Sequence, residues 1–156
     1  MRAVVQRVSK ASVSIGGEVV GSCGQGFLVL LGVGAEDTEA EVEQLWSKIF
    51  KMRIFPDGEH HTGAALADVN GEVLVVSQFT LYADCRKGNR PSFSGAGVPD
   101  ESERLYELFV KRARRDVAHV ACGEFGADMQ VALVNDGPFT ICLDTDELKR
   151  SRKTKS

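Results

Sequence analysis

The spacing of apolar residues over the first 34 positions indicates strands. Val4 and Val8, and the alternating Val13 and Ile15, lie in strand-like segments, Gly16-Gly17 has the composition of a hairpin turn, and residues 27–33 form an apolar run. Period-two alternation is typical of a strand with one buried face, whereas a short apolar run is typical of a strand buried on both faces. We therefore expect the chain to begin with a β-meander, in which successive strands pair in order.

Two later segments carry the signals of helices. Thr38-x-x-Glu41 matches a capping box, which predicts a helix that begins near Thr38. Its apolar residues recur at helical spacing and form one stripe, which comprises Val42, Leu45, Trp46 and Ile49. A second helix is predicted to begin near Asp100. Its predicted buried face comprises Leu105, Leu108 and Phe109.

Further apolar runs predict strands around and after these helices. A second β region is expected at residues 53–55, and Asn70-Gly71 has the composition of a type I′ hairpin turn, in which both central residues have positive φ. The turn precedes residues 73–76, which are apolar on both faces and therefore predict a central strand. Three more strands are predicted at residues 117–121, 129–134 and 139–143.

The stretch Asn-Asp-Gly-Pro-Phe-Thr, residues 135–140, separates the last two of these strands. By composition it is a tight turn, because Asn, Asp, Gly and Pro are common turn residues. Two main helices among many strands predict an α+β fold with mainly antiparallel sheets. We expect a single domain over residues 1–144, followed at residues 145–156 by a basic, flexible tail.

The charge of the chain is unevenly distributed. The net charge is −3, but five of the 19 basic residues lie in residues 149–156, which leaves 14 basic against 22 acidic residues elsewhere. A body this acidic repels polyanions in general, so a nucleic-acid partner has to be bound locally. The candidate surfaces are the tail, the basic residues of the second helix, and the cluster of Arg86, Lys87 and Arg90. For the helix we favour a solvated charged face.

Composition also disfavours several classes of protein. The longest apolar stretch, residues 27–35, is too short to span a bilayer, and the N-terminal segment lacks the apolar core of a signal peptide. We therefore expect a cytoplasmic protein with no membrane partner. The four cysteines include no C-x-x-C pair, and the three histidines show no metal-ligand spacing, so we expect no metal and no other cofactor.

Residues 84–99 form a long segment rich in glycine and proline between the central strand and the second helix. A loop of this length inside a compact domain is typically functional or disordered, and its basic cluster favours a function. Phe93 offers a face on which a base can stack. Arg86, Lys87 and Arg90 offer contacts to phosphates, so the loop is our predicted site of RNA binding.

The candidate chemistry lies at the end of the central strand, at Ser77-Gln78-Phe79-Thr80. A hydroxyl nucleophile requires an adjacent base, and no histidine is close in sequence, so a Ser-His-Asp hydrolase is disfavoured. The same residues serve equally well as a hydrogen-bonding wall. In that interpretation the backbone N–H groups of residues 78–80 stabilise an oxyanion.

Five segments of the chain carry more specific motifs. They are MRAVVQRVSKASV at the N-terminus, SQFTLYAD at 77–84, RKGNRPSFSGA at 86–96, FGADMQV at 125–131 and NDGPFT at 135–140. Together they resemble the D-aminoacyl-tRNA deacylases, over residues 1 to about 144. The resemblance implies a deacylase-like α+β homodimer. It also implies an enzyme that hydrolyses the ester joining a D-amino acid, or glycine, to the terminal adenosine of tRNA, as a proofreading step in translation.

The resemblance also implies roles for individual residues. The Gly137-Pro138 peptide is expected to be cis, to enter the active site of the partner subunit, and to exclude L-aminoacyl groups there. The other substrate-binding residues implied are Ser77, Gln78 and Met129. Phe79 and Thr80 are implied to act at the reacting ester. A backbone reader suits this task, because every aminoacyl group has the same α-carbon whatever its side chain.

Two mechanisms and two functional classes remain open at this point. In the first mechanism Thr80 attacks the ester directly. In the second, the vicinal ribose hydroxyl and water react, and the protein supplies orientation and an oxyanion site near Phe79. The missing base favours the second mechanism.

The alternative functional class is a non-catalytic module that binds tRNA or single strands. Phe139 departs from the family pattern, since most members have valine after Gly-Pro, and residues 61–65 replace a more polar run.

Overall fold

The computed structural model describes residues 1–150 and 152. Its strands are β1 (Arg2–Ile15), β2 (Glu18–Cys23), β3 (Gly26–Gly32), β4 (Glu72–Ser77), β5 (Val120–Cys122) and β6 (Gln130–Asp144). Its α-helices are α1 (Glu39–Lys51), α2 (Pro99–Asp116) and α3 (Thr145–Lys149). The α+β class is therefore confirmed. No helix among these residues is long and apolar enough to cross a membrane.

The six strands form one sheet of mixed direction. β1 pairs antiparallel with β2, β3 and β6, whereas β3–β4 and β4–β5 pair in parallel. The predicted meander is wrong, because β3 pairs with β1 and β4 and not with β2. β1 has 14 residues, so its first half pairs with β3 and its second half with β2 on the same edge.

The predicted hairpin at Asn70-Gly71 is also wrong. Only Asn70 of the two has positive φ, at 49°, and the chain then enters β4 parallel to β3. Parallel neighbours need a crossover, and α1 lies within this one. The β region expected at residues 53–55 is reduced to an isolated bridge between Phe55 and Ala64. β4 itself is central as predicted, with residues 73–76 all buried.

Residues 135–140 do not form a turn between two strands. β6 continues through them, because β1 remains beside it on both sides of this stretch. The pairing moves from Gln6–Thr140 to Val8–Asn135, so two steps along β1 face five along β6. The extra residues bulge out of the ladder, and among them Gly137 and Pro138 are exposed. A bulge favours the same residue types as a turn. The composition of residues 135–140 therefore predicted a turn where the structure has a bulge.

The two long helices pack on the core as their apolar stripes predict. The stripe of α1 is fully buried, and the capping box at Thr38 and Glu41 is present. Trp46 packs edge-on against Phe109 of α2 at 5.6 Å, and its Nε1 donates to Asp116. α2 begins one residue before Asp100, at Pro99, without a side-chain cap. Along its predicted face Leu105 is fully buried and Leu108 only partly.

The predicted tail begins as an ordered helix. Thr145, the first residue of α3, is buried, and its Oγ1 accepts a hydrogen bond of 2.7 Å from the amino group of Met1. Lys149 donates to Glu41 on α1 at 2.6 Å, and this bond lowers the pKa of Glu41 to about 2. α3 therefore attaches the end of β6 to the core. Residues 151 and 153–156, on which the remaining prediction of a flexible tail depends, lie outside the described residues.

Candidate active site

A cavity of about 610 Å³ opens beside the ends of β3 and β4. Its wall is formed by five parts of the chain: the end of β3, the end of β4, the loop before α2, the first turns of α2, and residues 125–131. Its volume lies in the range typical of small-molecule sites. Ligands of sheet proteins often bind where the strands end, so this cavity is the candidate active site.

The predicted residues at the end of β4 line this cavity. Ser77, Gln78 and Phe79 are part of its wall, and Met129 joins them from the other side of the chain. Beyond β4 the backbone turns through a single 3-10 turn, Phe79–Tyr82. Gln78 donates its N–H to Leu31, at 2.7 Å. The strand end is therefore fixed to β3 just before the turn begins.

The 3-10 turn leaves two backbone donors available. Among the described residues, the N–H groups of Phe79 and Thr80 have no backbone acceptor. This is expected for the first turn of a helix, whose N–H groups have no carbonyl behind them. Two adjacent donors, one at Phe79 on the cavity wall and one at Thr80 next to it, suit a developing negative charge on a carbonyl oxygen. The oxyanion role of Phe79 and Thr80 stays a prediction.

The Thr80 side chain is not arranged as a nucleophile. Its Oγ1 accepts a hydrogen bond of 2.5 Å from Nε2 of Gln78, and Thr80 is exposed outside the cavity wall. An amide N–H donates and cannot take a proton, so Gln78 is no general base. His60 and His61 lie in an exposed loop, and His119 bonds to the Ser22 carbonyl.

Aromatic side chains give the cavity its apolar character. Phe79 is 58% exposed and meets Phe93 edge-on, with ring centroids 5.1 Å apart. Tyr106, which is buried, packs against Phe125 with ring centroids 5.9 Å apart. The Tyr106 hydroxyl donates to the Val75 carbonyl, and burial raises its pKa. The cavity is therefore suited to a flat, mostly apolar group.

The Gly137-Pro138 peptide is cis, and neither of its residues lines the cavity of its own chain. Asn135 holds the bulge closed, because its side chain bonds to both the N–H and the carbonyl of Phe139. Gly137 has a φ of 140°, and a Cβ there would approach Phe139 N to 2.9 Å and an Arg7 nitrogen to 3.1 Å. Only glycine fits this position.

Arg7 fixes the bulge from below. Its side chain is almost fully buried, and it donates to the carbonyls of Asp136, at 2.9 Å, and Ile54, at 2.6 Å. Its guanidinium also lies 4.7 Å from the centre of the Phe139 ring. The phenylalanine that departs from the family pattern therefore adds a cation–π contact to the bulge. Arg7 was not predicted as a site residue, although it lies within the N-terminal motif.

The basic loop presents two kinds of cation. Arg86 forms a double hydrogen bond to Asp84, with distances of 2.9 and 2.7 Å, which lowers the pKa of Asp84 to about 2. Lys87 and Arg90 are exposed and form no ion pair with any described residue. They are thus freer than Arg86 to contact a phosphate. On α2, Arg112 and Arg115 pair with carboxylates, as expected for a solvated face.

The described residues contain no group of three or more His, Cys, Asp or Glu side chains placed to hold a metal ion. All four cysteines are free. The sequence did not point to three of the cavity residues, Ser102, Tyr106 and Phe125. Tyr106 and Ser102 lie on α2, where helical spacing predicts only burial. Phe125 lies within the FGADMQV motif, which was the available signal for it.

Comparison with known proteins identifies relatives of this chain. The family described as D-Tyr-tRNA(Tyr) deacylase matches residues 4–144. The chain is 55% identical over 152 residues to a D-aminoacyl-tRNA deacylase of Roseiflexus sp. (strain RS-1), covering 97% of this chain and 98% of the other. It is 56% identical over 146 residues to a D-aminoacyl-tRNA deacylase of Lacticaseibacillus casei (strain BL23), covering 94% and 99%.

Two solved structures have the same fold. One, described as a c-Myc DNA Unwinding Element Binding Protein, is 43% identical with a TM-score of 0.87 and covers 92% of this chain and 98% of its own. The other, described as a probable eukaryotic D-amino acid tRNA deacylase, is 17% identical with a TM-score of 0.78 and covers 91% and 97%. At that identity the second shows the fold alone. With the match over residues 4–144 and these relatives, the chain belongs to the D-Tyr-tRNA(Tyr) deacylase family of hydrolases.

Proposed function

We propose that this protein hydrolyses the ester between a D-amino acid, or glycine, and the terminal adenosine of tRNA, and so removes wrongly charged tRNA in the cytoplasm during translation. The observation that carries the proposal is the end of β4. Residues 77–79 line a mostly apolar cavity, and the N–H groups of Phe79, on its wall, and of Thr80, the next residue, have no backbone acceptor, in a chain of the deacylase family. Water cleaves the ester, and the products are the free amino acid and tRNA.

In this reaction the protein acts mainly by position and hydrogen bonding. The carbonyl oxygen of the ester accepts from the free N–H groups of Phe79 and Thr80 as the tetrahedral intermediate forms. The vicinal ribose hydroxyl assists the attacking water. The hydroxyl thereby takes the place of a general base, which the protein does not supply. Gln78 keeps the Thr80 hydroxyl oriented, and Thr80 is not the nucleophile.

Handedness is read across the subunits of a homodimer in this proposal. The Gly137-Pro138 bulge is exposed and away from the cavity of its own chain, yet it is braced from within by Arg7 and Asn135. A braced, exposed bulge is suited to entering the cavity of a second copy. There the backbone blocks an L side chain, whereas a D side chain points toward solvent.

The exposure of β6 supports a homodimer. None of its 15 residues is buried, and among the described residues it pairs with β1 alone. Val131 and Val134 are 37% and 46% exposed. A long, partly apolar strand with an open edge is usually covered by another chain. The same surface carries the Gly137-Pro138 bulge.

The test is deacylation of matched D- and L-aminoacyl-tRNA by the purified protein. We expect hydrolysis of the D-ester and of the glycyl ester, and sparing of the L-ester. A D-aminoacyl-tRNA ending in 2′-deoxyadenosine is expected to bind but to react slowly. Equal hydrolysis of D- and L-esters contradicts the chiral assignment, and normal turnover of the deoxy substrate contradicts assistance by the ribose.

Thr80→Ala separates the two chemical mechanisms. Because the backbone N–H of residue 80 remains, we expect turnover within about tenfold of the wild type, the size of one lost hydrogen bond. Complete loss of turnover with the fold and tRNA binding intact would instead identify Thr80 as the nucleophile.

A further inference from the structure

Ser102 on α2 has a hydroxyl that its own chain does not satisfy. The residue is 7% exposed, and its N–H donates normally to the Val98 carbonyl at 2.9 Å. Its Oγ is the only buried side-chain polar atom without a hydrogen-bond partner in the described part of the chain. A serine inside a helix commonly bonds back to the carbonyl four residues earlier, and this one does not. Native proteins rarely leave such a group unpaired without a use for it.

The position of Ser102 explains what the hydroxyl faces. Ser102 and Gly97 both belong to the wall of the candidate active-site cavity. A Cβ at Gly97 would lie 2.6 Å from the Ser102 Oγ, so any side chain at position 97 would press on the hydroxyl. The Gly97 N–H is fixed to the Val33 carbonyl at 3.0 Å, which keeps this small residue in place. The hydroxyl is therefore one of the few polar side-chain groups in a mostly apolar wall.

The proposed function identifies which part of the substrate reaches this wall. The ester carbonyl is placed at Phe79, and the D side chain points to solvent. The remaining group is the terminal nucleoside, whose base is flat and suits the aromatic wall formed by Phe93, Tyr106 and Phe125. The edge of adenine carries both an amino donor and ring-nitrogen acceptors. A serine hydroxyl both donates and accepts, so it can pair with either kind of group.

We propose that the Ser102 hydroxyl forms a hydrogen bond with the polar edge of the terminal adenine, and so helps this enzyme select the 3′-terminal base of tRNA. The proposal rests on the proposed function, because it needs the ester to bind at the end of β4. Binding of substrate satisfies the hydroxyl that folding leaves unpaired. Ser102 is thus a specificity-determining residue, and it takes no part in the transfer of protons.

The test compares Ser102→Ala with the wild type on one D-aminoacyl-tRNA, and then on tRNA whose terminal adenosine is replaced by an analogue. The analogues are purine riboside, which lacks the amino group, and 1-deaza-, 3-deaza- and 7-deazaadenosine, each of which lacks one ring nitrogen. On the natural substrate we expect Ser102→Ala to raise KM about five- to tenfold with kcat little changed. On the analogue that lacks the partner atom, wild type and variant are expected to have the same KM.

Two further measurements keep the outcome interpretable. Ser102→Ala removes an unpaired buried hydroxyl, so we expect the free variant to melt at a higher temperature than the wild type while it binds substrate more weakly. Ser47→Ala on α1 is the matched control, because it makes the same exchange inside a helix away from the cavity, and its KM is expected to be unchanged.

An unchanged KM for Ser102→Ala would overturn the proposal, and so would the same rise in KM on every analogue. A wild-type enzyme that hydrolyses no D-aminoacyl-tRNA contradicts the proposed function itself. That result is distinct from a failure of Ser102 to recognise the base, which leaves wild-type activity intact.

Discussion

β3 and β6 are both apolar strands that pair with β1, yet their surroundings differ completely. β3 is buried along nearly its whole length, between β1 and β4 and beneath the helices, whereas β6 has no buried residue. The difference shows that apolar sequence alone does not determine where a strand is buried. β3 completes the fold of one chain. The exposed surface of β6 is the part that we assign to a second copy, together with the Gly137-Pro138 bulge.

The largest effect is expected from a charge placed on the exposed surface of β6. Val134→Arg puts an unpaired charge where the proposed dimer buries a 46% exposed valine, so the protein should become monomeric. Because each site of the proposed dimer needs the partner's bulge, we expect turnover of D-aminoacyl-tRNA to fall at least about 100-fold. Light scattering and single-turnover deacylation measure the two properties.

Val20→Arg is the control for this change. Val20 lies on β2 and is 50% exposed, so the substitution adds the same charge to an equally exposed apolar position outside β6. We expect this variant to remain dimeric and active. A monomeric Val134→Arg that still cleaves the D-ester and spares the L-ester would contradict the cross-subunit reading.

The next effect concerns the bulge within β6. Gly137→Ala forces a Cβ against Phe139 N and Arg7 at a φ of 140°, so we expect a loss of about 1–3 kcal/mol in stability and at least about tenfold in turnover. Gly58→Ala is the control, because Gly58 also has positive φ, 94°, but has open space for a Cβ. Urea unfolding and deacylation rates distinguish a local backbone cost from a specific effect on the site. Equal losses of turnover in both variants would contradict the proposal that the bulge is part of the active site.

A smaller effect is expected in the basic loop after β4, away from the surface of β6. Lys87→Gln or Arg90→Gln should each weaken tRNA binding severalfold and reduce the slope of log affinity against log salt by roughly 0.7–0.9. Arg86→Gln should have less effect, because Asp84 already occupies its guanidinium. All three should remain dimeric with kcat unchanged. Filter binding at several salt concentrations measures this, and a larger loss for Arg86→Gln would reverse our assignment.

The smallest effect concerns the link between the end of β6 and the core. The Lys149 bond lowers the pKa of Glu41 from 4.5 to about 2, so the folded state favours the charged carboxylate. Its stabilisation is complete above pH 4.5 and is lost as the pH falls toward 2. Glu41→Gln should therefore cost about 1–2 kcal/mol at pH 7 and little near pH 2. Thermal unfolding across this range measures it, and a pH-independent cost would contradict the link.

The parts of the fold that follow local rules were predictable from the sequence. The capping box at Thr38, the stripe through Trp46 and the two-sided burial of residues 73–76 each depend on near neighbours in the chain, and each is confirmed. The pairing of the strands was not predictable in this way. Whether β3 pairs with β2 or β1 depends on the length of β1, and the parallel direction of β4 depends on a crossover of about 40 residues.

In the candidate site, too, the residues of local sequence motifs were predicted, whereas those brought in by the packing of the chain were not. Ser77, Gln78, Phe79 and Met129, which the motifs imply as site residues, line the cavity, and their roles in binding and catalysis stay predictions. Ser102 and Tyr106 were missed, because helical spacing predicts that a residue is buried but not which cavity it faces. The bulge at Gly137 was taken for a turn, since the residues that suit a turn also suit a bulge. Its proposed place in a second copy lies beyond any pattern within one chain.

Mixing two impaired variants tests the cross-subunit site most directly. Gly137→Ala damages the bulge, and Ala127→Trp fills the cavity from a half-buried position on its wall, so each homodimer is expected to keep about a tenth of wild-type turnover or less. After unfolding and refolding as an equal mixture, half of the dimers combine both variants. Each of these has one intact cavity facing one intact bulge. We predict recovery of about a quarter of wild-type D-aminoacyl-tRNA deacylation, whereas no recovery in a mixture shown to contain mixed dimers would mean that each subunit uses its own bulge.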